Sequence, residues 1–167
     1  MIFRKKLKNL QLSNNINLIN KKFKKNQYYH YLKTPNLSLV IPIINNKIIV
    51  VSQKRIPINK INYEFPCGNI EKNETPLITA KKELLEETGF ESNKFIKVIS
   101  FYTEPGRLTS KMNVFFSKEL IKIGNPEKGI KIHLFDKRKI FELIKNNRFN
   151  NSSHIAAFLF FLNQRIT

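Results

Sequence analysis

Three glutamates crowd one short stretch of an otherwise basic chain. Glu86 and Glu87 follow Glu83 at three and four residues, a spacing that puts the carboxylates on one face within a single helical turn. Like charges so placed repel by on the order of a few tenths of a kcal/mol per pair on a bare helix. One reading is a solvated face screened by Lys81 and Lys82. The other is a bound cation, which offsets the repulsion. Oxygen donors in a hard cluster suit Mg²⁺, or Mn²⁺. The loop before these residues adds Gly68 and, six positions on, Glu74.

The acids elsewhere sharpen the choice. The chain of 167 residues carries a net charge of +18, yet residues 64–91 hold seven of its 12 acids against three lysines. Residues 1–63 hold no acid at all. A drift toward lysine thins carboxylates everywhere except in this window. The drift itself shows in 21 Asn, 23 Ile and 14 Phe, residues that share A/T-rich codons with lysine. Asn and Ile gain nothing from polyanion binding, so composition accounts for the charge better than a nucleic-acid footprint does.

Composition excludes several classes. At 41% hydrophobic the chain can bury a core. No run reaches the ~20 apolar residues of a membrane helix, so no membrane partner is expected. The basic start (Arg4, Lys5, Lys6, Lys8) leads into Asn-rich sequence rather than an apolar run, which argues against a secretory signal. A single cysteine fits a reducing, cytoplasmic setting and makes a Cys/His zinc site improbable.

The elements that must position the glutamates follow. Thr75 caps, and Pro76 starts, a helix that Gly89 stops; Leu77, Ala80 and Leu84 recur at helical spacing. Strands are expected at Asn26–Lys33, at Leu37–Ile44 and Lys47–Ser52 around an Asn45-Asn46 turn, and at Tyr63–Pro66 after a loop from Arg55. Further strands are expected at Phe95–Thr103, Met112–Ser117 and Ile130–Phe135, then helices at Lys137–Asn146 and His154–Gln164. This order reads as an α/β (α+β) sandwich, a mixed sheet between helices. Residues 1–35 read as a strand-forming extension and 36–167 as the main domain.

Gly68-x5-Glu74-x7-Lys82-Glu83-Leu84-x-Glu86-Glu87-x-Gly89-Phe90 resembles the Nudix box, matching eight of its nine defined positions. Lys82 departs from it, standing where the family has arginine; it keeps the charge and loses the fork that orients a neighbouring glutamate. The resemblance implies a Nudix fold and hydrolysis of a nucleoside diphosphate linked to another moiety. Mg²⁺ (Mn²⁺ as substitute) would be held by Glu83, Glu86, Glu87 and the Cys67 carbonyl, and Glu74 would orient the loop.

Glu64-Phe65-Pro66-Cys67-Gly68 and Pro105, 16 residues after Gly89, resemble the ADP-ribose pyrophosphatase branch of that family. By that resemblance Arg55 would contact phosphate or the terminal ribose, Glu104 the sugar, and Arg107 a further phosphate. The general base would be Glu127, with Glu86 also in a catalytic role and Glu119 the fallback; a plain surface loop is the alternative for Glu127. Relatives are homodimers joined through N-terminal strands, where Tyr28, Tyr29 or Tyr31 would stack on adenine; core packing is the alternative for these rings.

Three readings of function follow. The first is a Mg²⁺-dependent pyrophosphatase that takes a nucleotide sugar, ADP-ribose or an ADP-sugar, to AMP and a sugar phosphate. The second is an RNA 5′-end pyrophosphohydrolase, supported by charge but not by the branch markers. The third is a silent Nudix-fold module that binds a nucleotide or nucleic acid.

Overall fold

A computed structural model describes residues 2–3 and 7–164. The basic residues Arg4, Lys5 and Lys6 and the last three residues of the main domain lie outside the described residues.

The chain runs β1 (Ile2–Phe3), β2 (Leu10–Gln11), β3 (Asn17–Lys24), β4 (Gln27–Lys33), β5 (Leu37–Ile44), β6 (Lys47–Arg55), β7 (Lys60–Glu64) and β8 (Cys67–Asn69). Then come α1 (Pro76–Thr88), β9 (Phe90–Glu91), β10 (Lys94–Tyr102), β11 (Lys111–Lys118), β12 (Ile121–Lys122), β13 (Lys131–Phe135), α2 (Lys137–Lys145) and α3 (Ser152–Leu162). The architecture is α+β: a mixed sheet with helices on both faces, preceded by N-terminal strands.

In the main sheet the strands run β10-β11-β5-β6-β13, with β7 beside β6 and β8 beside β5. The β11–β5 pair is parallel and the others are antiparallel. Period-2 alternation sorts the two faces. Val40 and Phe115 point to α1, where Ala80 and Leu84 are fully buried. Leu39, Ile41, Val114 and Phe116 point the other way, to Ile140 and Leu143 of α2 and Phe158 and Phe161 of α3. Each fully buried side chain of this kind contributes roughly 1.5–3 kcal/mol.

The β5–β6 hairpin closes on Asn45 and Asn46, both at positive φ, as the turn signal predicts. Two regions depart from the sequence reading. The stretch expected to be a loop from Arg55 is a hairpin: β6 continues to Arg55, Ile56–Ile58 makes a single 3₁₀ turn, and Asn59 at φ 49° sends the chain back along β7. The strand expected at Tyr63–Pro66 breaks after Glu64. There Phe65 turns into the core against Phe149, its N–H donates to His154 Nδ1 at 3.1 Å, and Pro66 has no N–H for a ladder.

The N-terminal strands form their own antiparallel sheet, ordered β1-β4-β3-β2. It is fastened to the segment after β10. Tyr29 Oη donates to the Gly106 carbonyl at 2.6 Å, and the Leu32 N–H to the Arg107 carbonyl at 2.9 Å.

Candidate active site

Helix α1 is bounded by local chemistry. Thr75 Oγ1 accepts from the Ile78 N–H at 3.3 Å, and Pro76 occupies the first turn, where a missing N–H costs nothing. Ser38 Oγ of β5 donates to the Pro76 carbonyl at 2.6 Å and ties the helix start to the sheet. At the far end Gly89 adopts φ +68°, and its backbone passes so close to the next turn that an added Cβ would lie 2.3 Å from the Gly124 carbonyl oxygen. The Ile123 and Gly124 N–H groups both donate to the Gly89 carbonyl at 3.0 Å. That lock carries the following loop back, and the Glu127 N–H donates to the Glu86 carbonyl at 2.8 Å.

Strand β8 lies under the helix because it pairs with β5, Leu39 opposite Cys67 and Ser38 opposite Gly68. A Cβ on Gly68 would sit 1.9 Å from Glu83 Oε1. The carboxylate of Glu83 thus occupies space that glycine alone leaves open. One turn on, Glu87 Oε2 accepts the Cys67 N–H at 3.3 Å. Glu87 is only 8% exposed.

The electrostatics record a local excess of negative charge. Burial, then the charges of Glu86 and Glu127, push the Glu83 carboxyl up to about 7. Burial, then the charge of Glu83, push Glu87 up to about 8. Two carboxylates held against one backbone strand make an all-oxygen donor set, the chemistry that suits a hard divalent cation. Among the described residues, no three Asp, Glu, His or Cys side chains are gathered as a complete ligand set. Glu83 and Glu87 are the pair whose donors share one place. Burial also raises the Cys67 thiol well above its ordinary value, so the thiol stays protonated.

Glu74 holds the loop before the helix. Its Oε2 accepts from Thr79 Oγ1 at 2.6 Å and from the Glu71 N–H at 3.4 Å. Lys82 Nζ stands 3.7 Å from Glu74 Oε1. The Thr79 hydroxyl, with lesser help from Lys82, keeps the Glu74 carboxyl below its usual range.

Beside Cys67 and Gly68 opens a cleft of ≈ 360 Å³, lined also by Arg55, Thr103, Ser110 and His154. Arg55 Nε donates to both oxygens of Glu64 at 3.1 Å, and Nη2 closes an ion pair with Glu64 Oε2. Burial alone would raise the Glu64 carboxyl; the Arg55 bond, with Asn62, overrides it and holds it low. His154 is buried, and desolvation lowers its imidazole to about 4, so the ring is neutral.

Of the residues read from the sequence, Gly68, Glu83, Glu87 and Cys67 meet directly. Glu86 and Glu127 join at the end of α1, and Arg55 lines the adjoining cleft. Glu104 and Arg107 do not line that cleft; they pair with each other at 3.3 Å and border a second one of ≈ 270 Å³ with His30 and Tyr31. Leu108 lines both clefts. Tyr28 lies on β4 opposite Phe3 and Lys22. Sequence reasoning missed Glu64 as the partner of Arg55, and His154 as a wall of the cleft. The one available signal was Glu64 itself, the first acid after an acid-free stretch.

A family model described as a NUDIX domain matches residues 34–152. The chain belongs to the Nudix hydrolase family. Nudix hydrolases generally use a divalent metal, in keeping with the carboxylate pair. The chain is 40% identical over 90 residues to an ADP-ribose pyrophosphatase of Bacillus subtilis, across 53% of this chain and 49% of that protein. It is 41% identical over 95 residues to a methanol dehydrogenase activator of Bacillus methanolicus, across 56% and 51%. This Nudix chain therefore spans about half the length of the curated relatives it matches. A crystal structure described as an ADP compounds hydrolase superposes with a TM-score of 0.77 over 93% of this chain and 89% of that one. At 18% identity that likeness is one of fold. Among the described residues no helix is long and apolar enough to cross a membrane.

Proposed function

We propose that the protein hydrolyses the pyrophosphate of ADP-ribose or an ADP-sugar, giving AMP and a sugar phosphate. The observation that carries this reading is the seating of the Glu83 carboxylate on Gly68 with Glu87 on the adjacent Cys67 N–H, where Cys67 and Gly68 line a cleft together with Arg55. The ADP-ribose pyrophosphatase likeness supports the choice of substrate.

In this reading Glu83, Glu87, Glu86 and the Cys67 carbonyl hold Mg²⁺, with Mn²⁺ as a substitute. The bound ion supplies charge neutralisation for the pyrophosphate and a water of lowered pKa. Arg55 binds phosphate through its fork. Glu127 accepts the proton of the attacking water; its backbone is pinned to Glu86, and its charge is felt at Glu83. Glu104 and Arg107 contact the sugar half and a phosphate, and Tyr28 serves the adenine. The protein works as a cytoplasmic homodimer joined through residues 1–35.

The net charge of +18 supports a second reading, removal of pyrophosphate from an RNA 5′ end. Incubation with Mg²⁺ and each substrate separates the two. AMP released from ADP-ribose supports the first; pyrophosphate released from triphosphorylated RNA, with no AMP from ADP-ribose, overturns it. Neither product overturns both and leaves a binding module.

A further inference from the structure

We infer that Glu64 is a positioning residue, acting with Asn62 to fix the Arg55 guanidinium so that its unbonded edge faces a nucleoside diphosphate in the cleft. The inference rests on the reading of Arg55 as a phosphate contact and goes beyond it in saying what aims the arginine.

Register explains the geometry. Arg55 pairs with Lys60, Gln53 with Asn62, and Val51 with Glu64 across the β6–β7 ladder. Period-2 alternation puts Arg55, Asn62 and Glu64 on one face. The arginine side chain runs back along the sheet, past Asn62, to reach Glu64. Asn62 Nδ2 donates to Glu64 Oε1 at 2.8 Å, and the Asn150 N–H donates to Asn62 Oδ1 at 3.4 Å, so the amide is itself held. The Glu64 side chain is 2% exposed and the Arg55 side chain 41%. Only one end of the pair reaches solvent.

That asymmetry marks a device for aiming. A buried ion pair is a poor source of stability, because desolvation of both charges offsets their attraction. What it supplies is direction. Nε and Nη2 are committed to Glu64, and among the described residues Nη1 has no protein acceptor. Arg55 lines the same cleft as Cys67 and Gly68. A fork with one edge clamped offers the other at fixed orientation, which favours bidentate binding of phosphate oxygens.

Calorimetric titration of ADP into the full chain, without metal, tests this independently of turnover. Glu64→Gln keeps the shape but loses the charged bidentate clamp; it is expected to weaken ADP binding about tenfold. Asn62→Ala leaves the pair but frees the carboxylate to swing; a loss of roughly threefold is expected, and it serves if Glu64→Gln fails to fold. In an Arg55→Gln background, Glu64→Gln should have no further effect. In turnover, KM for ADP-ribose should rise while kcat stays within about twofold, a split that a merely structural role would not produce. ADP affinity unchanged in Glu64→Gln, or reduced equally with and without Arg55, overturns the inference and leaves the pyrophosphatase reading intact. Wild-type protein that does not bind ADP overturns it as well, whereas AMP release from ADP-ribose judges that reading on its own.

Discussion

Glu83 Oε1 lies 1.9 Å from the point where Gly68 would carry a Cβ. The loop glycine and the helix glutamate, 15 residues apart in sequence, are two halves of one fitting. β8 brings the backbone up under the helix because it pairs with β5, and the helix brings the carboxylate down onto it.

Gly68→Ala should therefore displace Glu83 rather than unfold the chain, since the methyl meets the far end of a flexible side chain. Turnover of ADP-ribose is expected to fall about 100-fold or more, the scale of a 1 Å misplacement, with the melting temperature little changed. Normal turnover in the variant would show that the seat has no role in the chemistry.

Gly89→Ala attacks the other end of α1. A side chain at φ +68° costs about 1–2 kcal/mol, and this one also meets the Gly124 carbonyl, which is backbone and cannot swing away. The melting temperature is expected to drop by roughly 4–8 °C. Because the same turn delivers Glu127 to Glu86, kcat should fall too. A stability loss with kcat intact would detach Glu127 from catalysis.

The raised carboxyls give a signed pH dependence for the metal-free protein. A group whose folded pKa exceeds its unfolded value contributes stability fully below the unfolded value and loses it as pH rises through the folded one. For Glu87 that window runs from 4.5 to about 8. His154 runs the opposite way, gaining stability from about 4 to 6.5, so the clean interval lies above it. Between pH 6.5 and 8.5 the wild type should lose on the order of 2 kcal/mol through Glu87, with a smaller share through Glu83. Chemical denaturation at the two pH values should show this loss. Glu87→Gln should flatten it and abolish turnover, and saturating Mn²⁺ should restore wild-type stability at the higher pH. A loss as large in Glu87→Gln as in wild type would refute the assignment.

Lys82 is the one departure from the box. It reaches Glu74 with a point charge at 3.7 Å. Lys82→Arg supplies a fork able to hold Glu74 and a neighbouring glutamate together. Mn²⁺ affinity, followed by electron paramagnetic resonance, is expected to rise roughly threefold. Weaker binding in the variant would mean that lysine is the better fit to this loop.

Much of the site was legible because its determinants are local. Thr75, Pro76 and Gly89 bound the helix from either end, and helical spacing alone brings Glu83 and Glu87 to one face. The Asn45-Asn46 turn is equally local. What the chain hid depends on register or tertiary pairing. Asn17–Lys24 has weak alternation and three lysines, and becomes a strand by pairing with the aromatic β4. Arg55 and Glu64 meet because a 3₁₀ turn folds Asn59 back, which no spacing rule anticipates. The loop of Glu104 and Arg107 is held to the N-terminal sheet through Tyr29 and Leu32, a tertiary contact that no local motif encodes.

The most direct test is a crystal soaked in Mn²⁺ and measured at the manganese edge. An anomalous peak between the Glu83 and Glu87 carboxylates, beside the Cys67–Gly68 backbone, is the predicted result. Clean maps there, with both side chains turned apart into solvent, would contradict the account.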